Sequence, residues 1–176
     1  MSELGVAFVV APSHIPEEHP PLPPAEAIVF VALAKARAVA RSLPMDQPSL
    51  VLGADTEVVL DGVLMGKPRD DADAVRILGV LRGRTHEVIT GLALVETGSS
   101  GIEVTEAVTT RVTMRPYSDQ EIAAYVSTGE PLDKAGAYAV QGVGARLVAE
   151  VDGCFTNVVG LPLSTTRRML ERRRRT

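Results

Sequence analysis

Apolar and polar positions along this chain keep two rhythms. Short apolar runs bounded by glycine, proline and acids predict strands, and stretches repeating every three to four positions predict helices. Leu50, Val51 and Leu52 run into Gly53 and then Asp55, after which Val58, Val59 and Leu60 read as a second strand. Asp55 is thus expected where one strand ends and another begins. Asp61-Gly62 is a hairpin signal that folds the chain back over Val63 to Met65 and carries Lys67 towards the Asp55 end of the sheet. Upstream, residues 5–10 read as a short strand and 11–24 as an irregular, proline-rich loop. PAEAIVFVALAKARAVARS, at 24–42, has no internal breaker, opens on a proline and is apolar nearly all round from Ala27 to Ala34, which predicts a buried helix.

Downstream, 69–82 predicts an amphipathic helix with Ala74, Ile77, Leu78 and Leu81 on one face and Asp70, Asp71 and Asp73 loading its first turn. The apolar strand at 87–95 is interrupted at Thr90-Gly91, where a bulge or a close approach by another backbone is expected. A turn at 97–101 leads to an antiparallel strand at 102–114, and Ser118 with Glu121 forms a capping-box pattern opening a helix that closes near Gly129. Residues 133–144 are punctuated by glycine and carry the Asp133-Lys134 pair and the Gln141 amide, as expected where backbone approaches a ligand. A strand at 146–151, a turn at Asp152-Gly153 and a helix at 161–172 complete the chain.

A length of 176 residues suits one domain with a real core, in two lobes at most. The net charge of -4 argues against a general nucleic-acid binder, and the basic tail at 172–175 reads as a solvated end. Cys154 is the only cysteine, which excludes an internal disulfide and suits a reducing compartment. No apolar run reaches membrane-spanning length and Met1 opens no signal peptide, so the expectation is a soluble cytoplasmic protein with no membrane partner. Aromatics are scarce and tryptophan is absent, so recognition of a nucleobase would lean on backbone and amide contacts.

Several charges invite chemistry. Asp55 and Lys67 on strand ends could hold a metal and an anionic substrate together; the plainer reading is an aspartate in a turn and a lysine in solvent. Glu17 and Glu18 are either solvated or, on a loop near a sheet end, metal ligands. Lys35 falls inside the apolar helix, where an unpaired ammonium costs several kcal/mol, so it either snorkels out or meets an anion. His86 is one of three histidines with no ligand partner at metal spacing and reads as surface or hydrogen-bonded. Neither GxxxxGK[ST] nor GxGxxG is present.

Together GADTEVVLDG, GKP, GRTHEVITG, TGEPLDKAGAYAVQG and NVVGLPL resemble the Maf (septum formation) family of nucleoside triphosphate pyrophosphatases, in family order and over nearly the whole chain. The resemblance implies a single Maf-like domain with an α/β fold related to inosine triphosphate pyrophosphatases: a mixed twisted sheet with flanking helices, in two lobes around a cleft. It implies cleavage of a nucleoside triphosphate between the α and β phosphates, giving monophosphate and pyrophosphate, with a divalent metal, Mg2+ or Mn2+. Asp55 matches the catalytic acid, and Lys35 and Lys67 match phosphate-facing lysines. Thr56 and Gln141 match residues of the subgroup acting on dTTP and UTP, and the branch associated with 7-methylated guanine nucleotides differs around both.

Glu17 matches the loop acid, with Pro16 replacing the aspartate that usually precedes it. By this resemblance Glu17 and Asp55 hold the metal, Lys35 and Lys67 meet the phosphates, and Thr56 and Gln141 bond the base. Family members open with a strand, an SxSPRR loop and a helix, which a chain starting Met1-Ser2-Glu3-Leu4-Gly5 is expected to lack. The rival expectation is a nucleotide-binding regulator of cell division without catalysis. A homodimer is the default assembly for such enzymes, with a nucleoside triphosphate as the partner and no stable nucleic acid.

Overall fold

A computed structural model describes residues 4–44, 48–97 and 102–174. Residues 98–101 of the turn expected at 97–101, part of the loop before β1 and the end of the basic tail lie outside these residues. The elements run α1 (Pro24–Ser42), β1 (Leu50–Leu60), β2 (Val63–Leu64), α2 (Asp71–Leu81), β3 (Thr85–Glu96), β4 (Glu103–Met114), α3 (Asp119–Val126), β5 (Val148–Asp152), α4 (Phe155–Val158) and α5 (Leu163–Arg174). Three 3-10 turns, Glu130–Asp133, Ala135–Ala137 and Gly144–Leu147, fill the glycine-punctuated stretch.

The class is α/β, as expected. The five strands form one sheet in the order β2-β1-β3-β4-β5. Its two outer pairs are antiparallel, with Val59 opposite Leu64 in one and Val112 opposite Val151 in the other. The β3–β4 pair is closed at its two ends by Glu96 N–H donating to Ile102 O and Met114 N–H donating to Arg84 O, the reciprocal ends that antiparallel strands place together. Asp61 and Gly62 both take positive φ, 51° and 79°, making the tight reversal that the Asp-Gly pair predicts.

Two compact units are resolved within the chain: 1–55, 90–108 and 160–176 in the first, 56–89 and 109–159 in the second. In the first unit the alternation of strand side chains decides the packing. Ala93 and Val95 of β3 pack with Ala32, Ala36 and Ala40 of α1, whereas Leu92 and Leu94 pack with Met169 of α5. The two helices therefore cover opposite faces of that strand. Small residues let α1 come very close. A Cβ on Gly91 would stand 2.8 Å from Val29 Cα, and one on Gly53 would stand 2.9 Å from Ala36 Cβ and nearer still to Ala32 O. The expected interruption at Gly91 is thus a close approach, with β3 unbroken through it.

Gly53 corrects the reading of β1. Two strands flanking Asp55 were expected, but a single eleven-residue strand runs through it. The glycine serves contact with α1, not a turn. A second correction concerns residues 5–10, which form no strand: Phe8, Val9 and Val10 are exposed and, among the described residues, pair with no strand.

In the second unit Val58 and Leu60 of β1 join Ala74, Ile77, Leu78 and Leu81 of α2 in the larger core. That is the face predicted for α2. Asp70 caps the helix by accepting from Asp73 N–H at 2.8 Å, and Ser118 and Glu121 make the complete capping box expected at α3.

Candidate active site

Along β1, Val51, Gly53 and Asp55 share one face, the face that Val51 and Gly53 turn towards α1. Asp55 therefore lies in the middle of a strand beneath a helix, only 6% exposed. A carboxylate there needs partners. Lys35 of α1 supplies one, its Nζ donating to Oδ1 at 2.7 Å. The extended segment before α1 supplies the other, with His19 Nε2 hydrogen-bonded to Oδ2 at 2.9 Å. The same segment brings Glu17 Oε1 to 2.6 Å from Lys35 Nζ.

Lys35 is thus the cation at the centre of two carboxylates. Its alternative, snorkelling into solvent, is not taken: the side chain is 17% exposed. Burial is the largest single influence and pulls its pKa down, but the hydrogen bonds and charges of Asp55 and Glu17 together outweigh it and hold the ammonium above the ordinary lysine value. Lys35 stays charged at any physiological pH. Such a pair is costly to break, because removing one partner leaves the other charge buried and uncompensated.

Glu57 lies two residues beyond Asp55 on β1 and so projects from the same face. Ligand atoms of His19, Asp55 and Glu57 all fall within 4.8 Å of one another. Donors bound to one divalent ion at about 2.0–2.6 Å stand at most about 5 Å apart, so one nitrogen and two oxygens of this set fit such an ion. Neither His19 nor Glu57 stood out in the sequence. The only signal for His19 was its place beside Glu17 and Glu18, and for Glu57 its spacing of two from Asp55.

The other anticipated residues fall differently. Thr56 follows Asp55 on the strand and projects from the opposite face. Lys67 and Gln141 belong to the second unit. After β2 the chain keeps alongside β1 through Met65 N–H on Val58 O at 2.8 Å, and Gly136 N–H then ties to Gly66 O at 2.8 Å, which draws the 133–137 stretch to Lys67. The Asp133 carboxyl is held below its usual range first by its hydrogen bond with Lys134, and Lys67 adds to the effect. Gln141 is exposed at the tip of the turn between Ala139 and Gly144.

His86 is buried, with Nε2 2.8 Å from the Tyr138 hydroxyl and the rings edge to face at 5.4 Å. It is a hydrogen-bonded core histidine. No helix among the described residues is long and apolar enough to cross a membrane.

The sequence profile of the Maf-like proteins matches residues 1–173. A dTTP/UTP pyrophosphatase of Moorella thermoacetica is 50% identical over 171 residues, covering 97% of this chain and 86% of that protein. Those of Gloeobacter violaceus and Geobacter metallireducens are each 51% identical over 164 residues, covering 93% of this chain and 83% of their own length. A profile match along nearly the whole chain and half-identical relatives lead to one conclusion: this chain belongs to the Maf family.

Proposed function

We propose that this protein hydrolyses dTTP and UTP to the nucleoside monophosphate and pyrophosphate with Mg2+ or Mn2+. The observation that carries the reading is the ammonium of Lys35 held between the buried carboxylate of Asp55 and the exposed one of Glu17, on a chain whose relatives are named dTTP/UTP pyrophosphatases. Lys35, whose ammonium already attracts anions, is assigned to the phosphates. Asp55 is the group suited to orient the attacking water and to accept its proton, since both its oxygens are held in fixed directions.

Asp55 and Glu17, with His19 and Glu57, are the side chains that would hold the metal. When bound, the cation neutralises phosphate oxygens and so eases attack at phosphorus. Lys67 is assigned to the leaving pyrophosphate, and Gln141 to hydrogen bonds with the base edge, where a pyrimidine is told from analogues lacking the matching groups. Thr56 is assigned to the base through its match with the same subgroup, its direction on β1 being the point to test. The reading also takes the protein to act in the cytoplasm as a homodimer, which sedimentation checks directly.

The test is pyrophosphate release from dTTP, UTP, dCTP and ATP with each metal, using wild type and Asp55→Asn. Release from dTTP and UTP by wild type, lost by at least about a hundredfold in the variant, supports the reading. Undiminished turnover by Asp55→Asn removes Asp55 from the mechanism. Calorimetric binding of dTTP without turnover by wild type would instead favour the regulatory role in cell division.

A further inference from the structure

Gln141 sits at the tip of a turn whose backbone is held by one carboxylate. Glu130 Oε1 accepts from Gly144 N–H at 3.0 Å and Oε2 accepts from Val143 N–H at 3.1 Å. The Tyr125 hydroxyl, from the buried face of α3, donates to Glu130 Oε1 at 2.9 Å and itself accepts from Ala139 N–H at 3.2 Å. Both ends of the turn, Ala139 before Gln141 and Val143-Gly144 after it, are therefore tied to one hydrogen-bonded pair.

The glycines fit that clamp. Gly142 takes φ +73°, and a Cβ there would stand 2.8 Å from Glu130 Oε2; a Cβ on Gly144 would stand 2.5 Å from the Tyr125 hydroxyl and 2.7 Å from Ala139 O. Side chains at either position would push the carboxylate or the phenol out of place. Gly142 thus needs both the left-handed backbone and the empty space. Glu130 is anchored in its own turn: its N–H donates to Thr128 Oγ1 at 3.2 Å, and Pro131 beside it is buried. A carboxylate held by two backbone N–H groups and a phenol is a stronger fixture than a neutral acceptor would be.

We infer that Glu130, backed by Tyr125, is the positioning residue for Gln141, fixing the turn that presents the amide to the base and so setting base discrimination without touching the substrate. The inference rests on the assignment of Gln141 to the base. The three unclamped possibilities for such a turn, fraying at 139, at 143 or at both, would each leave the amide a spread of positions, and a site with a loosely placed hydrogen-bonding group loses discrimination.

The experiment measures kcat and KM for dTTP and dCTP with the full chain as Glu130→Ala, Glu130→Gln, Gln141→Ala and the Glu130→Ala/Gln141→Ala pair, with amide hydrogen exchange alongside. Gln141→Ala lowers the dTTP-over-dCTP ratio of kcat/KM about tenfold. Glu130→Ala lowers it similarly through KM, leaves kcat within about twofold, speeds exchange at Val143 and Gly144, and adds nothing in the Gln141→Ala background. Glu130→Gln, which keeps one carbonyl acceptor, falls between. Should Glu130→Ala not fold, Tyr125→Phe carries the same pattern at smaller amplitude.

An unchanged ratio in Glu130→Ala beside a lowered one in Gln141→Ala overturns the positioning role and spares the assignment of Gln141. A further loss in the double variant also overturns it, since Glu130 would then act by another route. An unchanged ratio in Gln141→Ala overturns the assignment of Gln141 to the base, and the positioning role with it.

Discussion

Gly53→Ala tests whether the α1–β1 contact is what builds the Lys35–Asp55 pair. The new methyl would stand 2.9 Å from Ala36 Cβ, 3.0 Å from Ala36 N and nearer still to Ala32 O. Ordinary contact begins at about 3.4–4.0 Å, and two of these three atoms are backbone, so α1 must retreat from β1 by roughly 1 Å. Overpacking of this kind costs about 1–3 kcal/mol, and the backbone obstruction puts it at the upper end. At about 2–4 °C per kcal/mol for a chain of this size, Tm falls by roughly 5–10 °C. Lys35 follows Ala32 by one helical turn and Asp55 follows Gly53 by two residues, so the same retreat stretches their 2.7 Å hydrogen bond out of range.

A displacement of about 1 Å in a catalytic arrangement can cost about a hundredfold in rate. The assay is a thermal melt and pyrophosphate release from dTTP on the same preparation. Gly79→Ala is the control: Gly79 lies in α2, and a Cβ there would meet nothing within 4 Å. It should stabilise slightly, by up to about 1 kcal/mol of helix propensity, read as a small rise in Tm, and leave turnover alone. A Gly53→Ala protein that melts and turns over like wild type would refute the argument that this glycine sets the helix over Asp55.

Other outcomes follow from the same geometry. Burial holds the His86 pKa down to about 4 from an ordinary 6.5, so the unfolded chain takes up its proton first. Stability is therefore full above about pH 6.5 and falls as the pH drops towards 4, by up to about 3 kcal/mol; urea midpoints measured from pH 8 to 4 should flatten in His86→Gln. His19→Ala should weaken Mn2+ binding by roughly tenfold or more in calorimetry because one donor of the set is lost, and should also lower Tm because the buried Asp55 loses one of its two hydrogen bonds. Asn157 Nδ2 donates to Val88 O at 2.9 Å and Thr110 Oγ1 at 3.0 Å inside the second unit. Asn157→Ala should cost about 1–3 kcal/mol, read as a lower Tm, while kcat stays near wild type.

Features fixed by local chemistry were legible in the sequence. The bounds of α1, the Asp-Gly reversal, the Ser118–Glu121 box and the apolar face of α2 all follow from nearest-neighbour rules, and each stands where expected. Lys35 was legible for another reason. A charge inside an apolar helix must either reach solvent or meet an anion, and of the two Lys35 takes the second, with Asp55 and Glu17 as the anions.

Features fixed by distant partners were not legible. Gly53 looks the same in a sequence whether it makes a turn or admits a helix, and only Ala32 and Ala36 across from it decide. His19 has no periodicity to betray it, since its role depends on an irregular segment lying against β1. The 5–10 stretch has strand composition, but composition cannot supply a neighbouring strand to pair with. Thr56 sits next to the key acid in the sequence yet on the other face of the strand, as alternation requires.

The most direct measurement is a phosphorus NMR spectrum of dTTP turned over by the wild-type protein with Mg2+, recorded beside Asp55→Asn. Signals of dTMP and pyrophosphate growing together in the wild-type sample, and absent from the variant at equal folding, are what the account predicts. Appearance of dTDP with orthophosphate, or equal spectra from the two proteins, would contradict it.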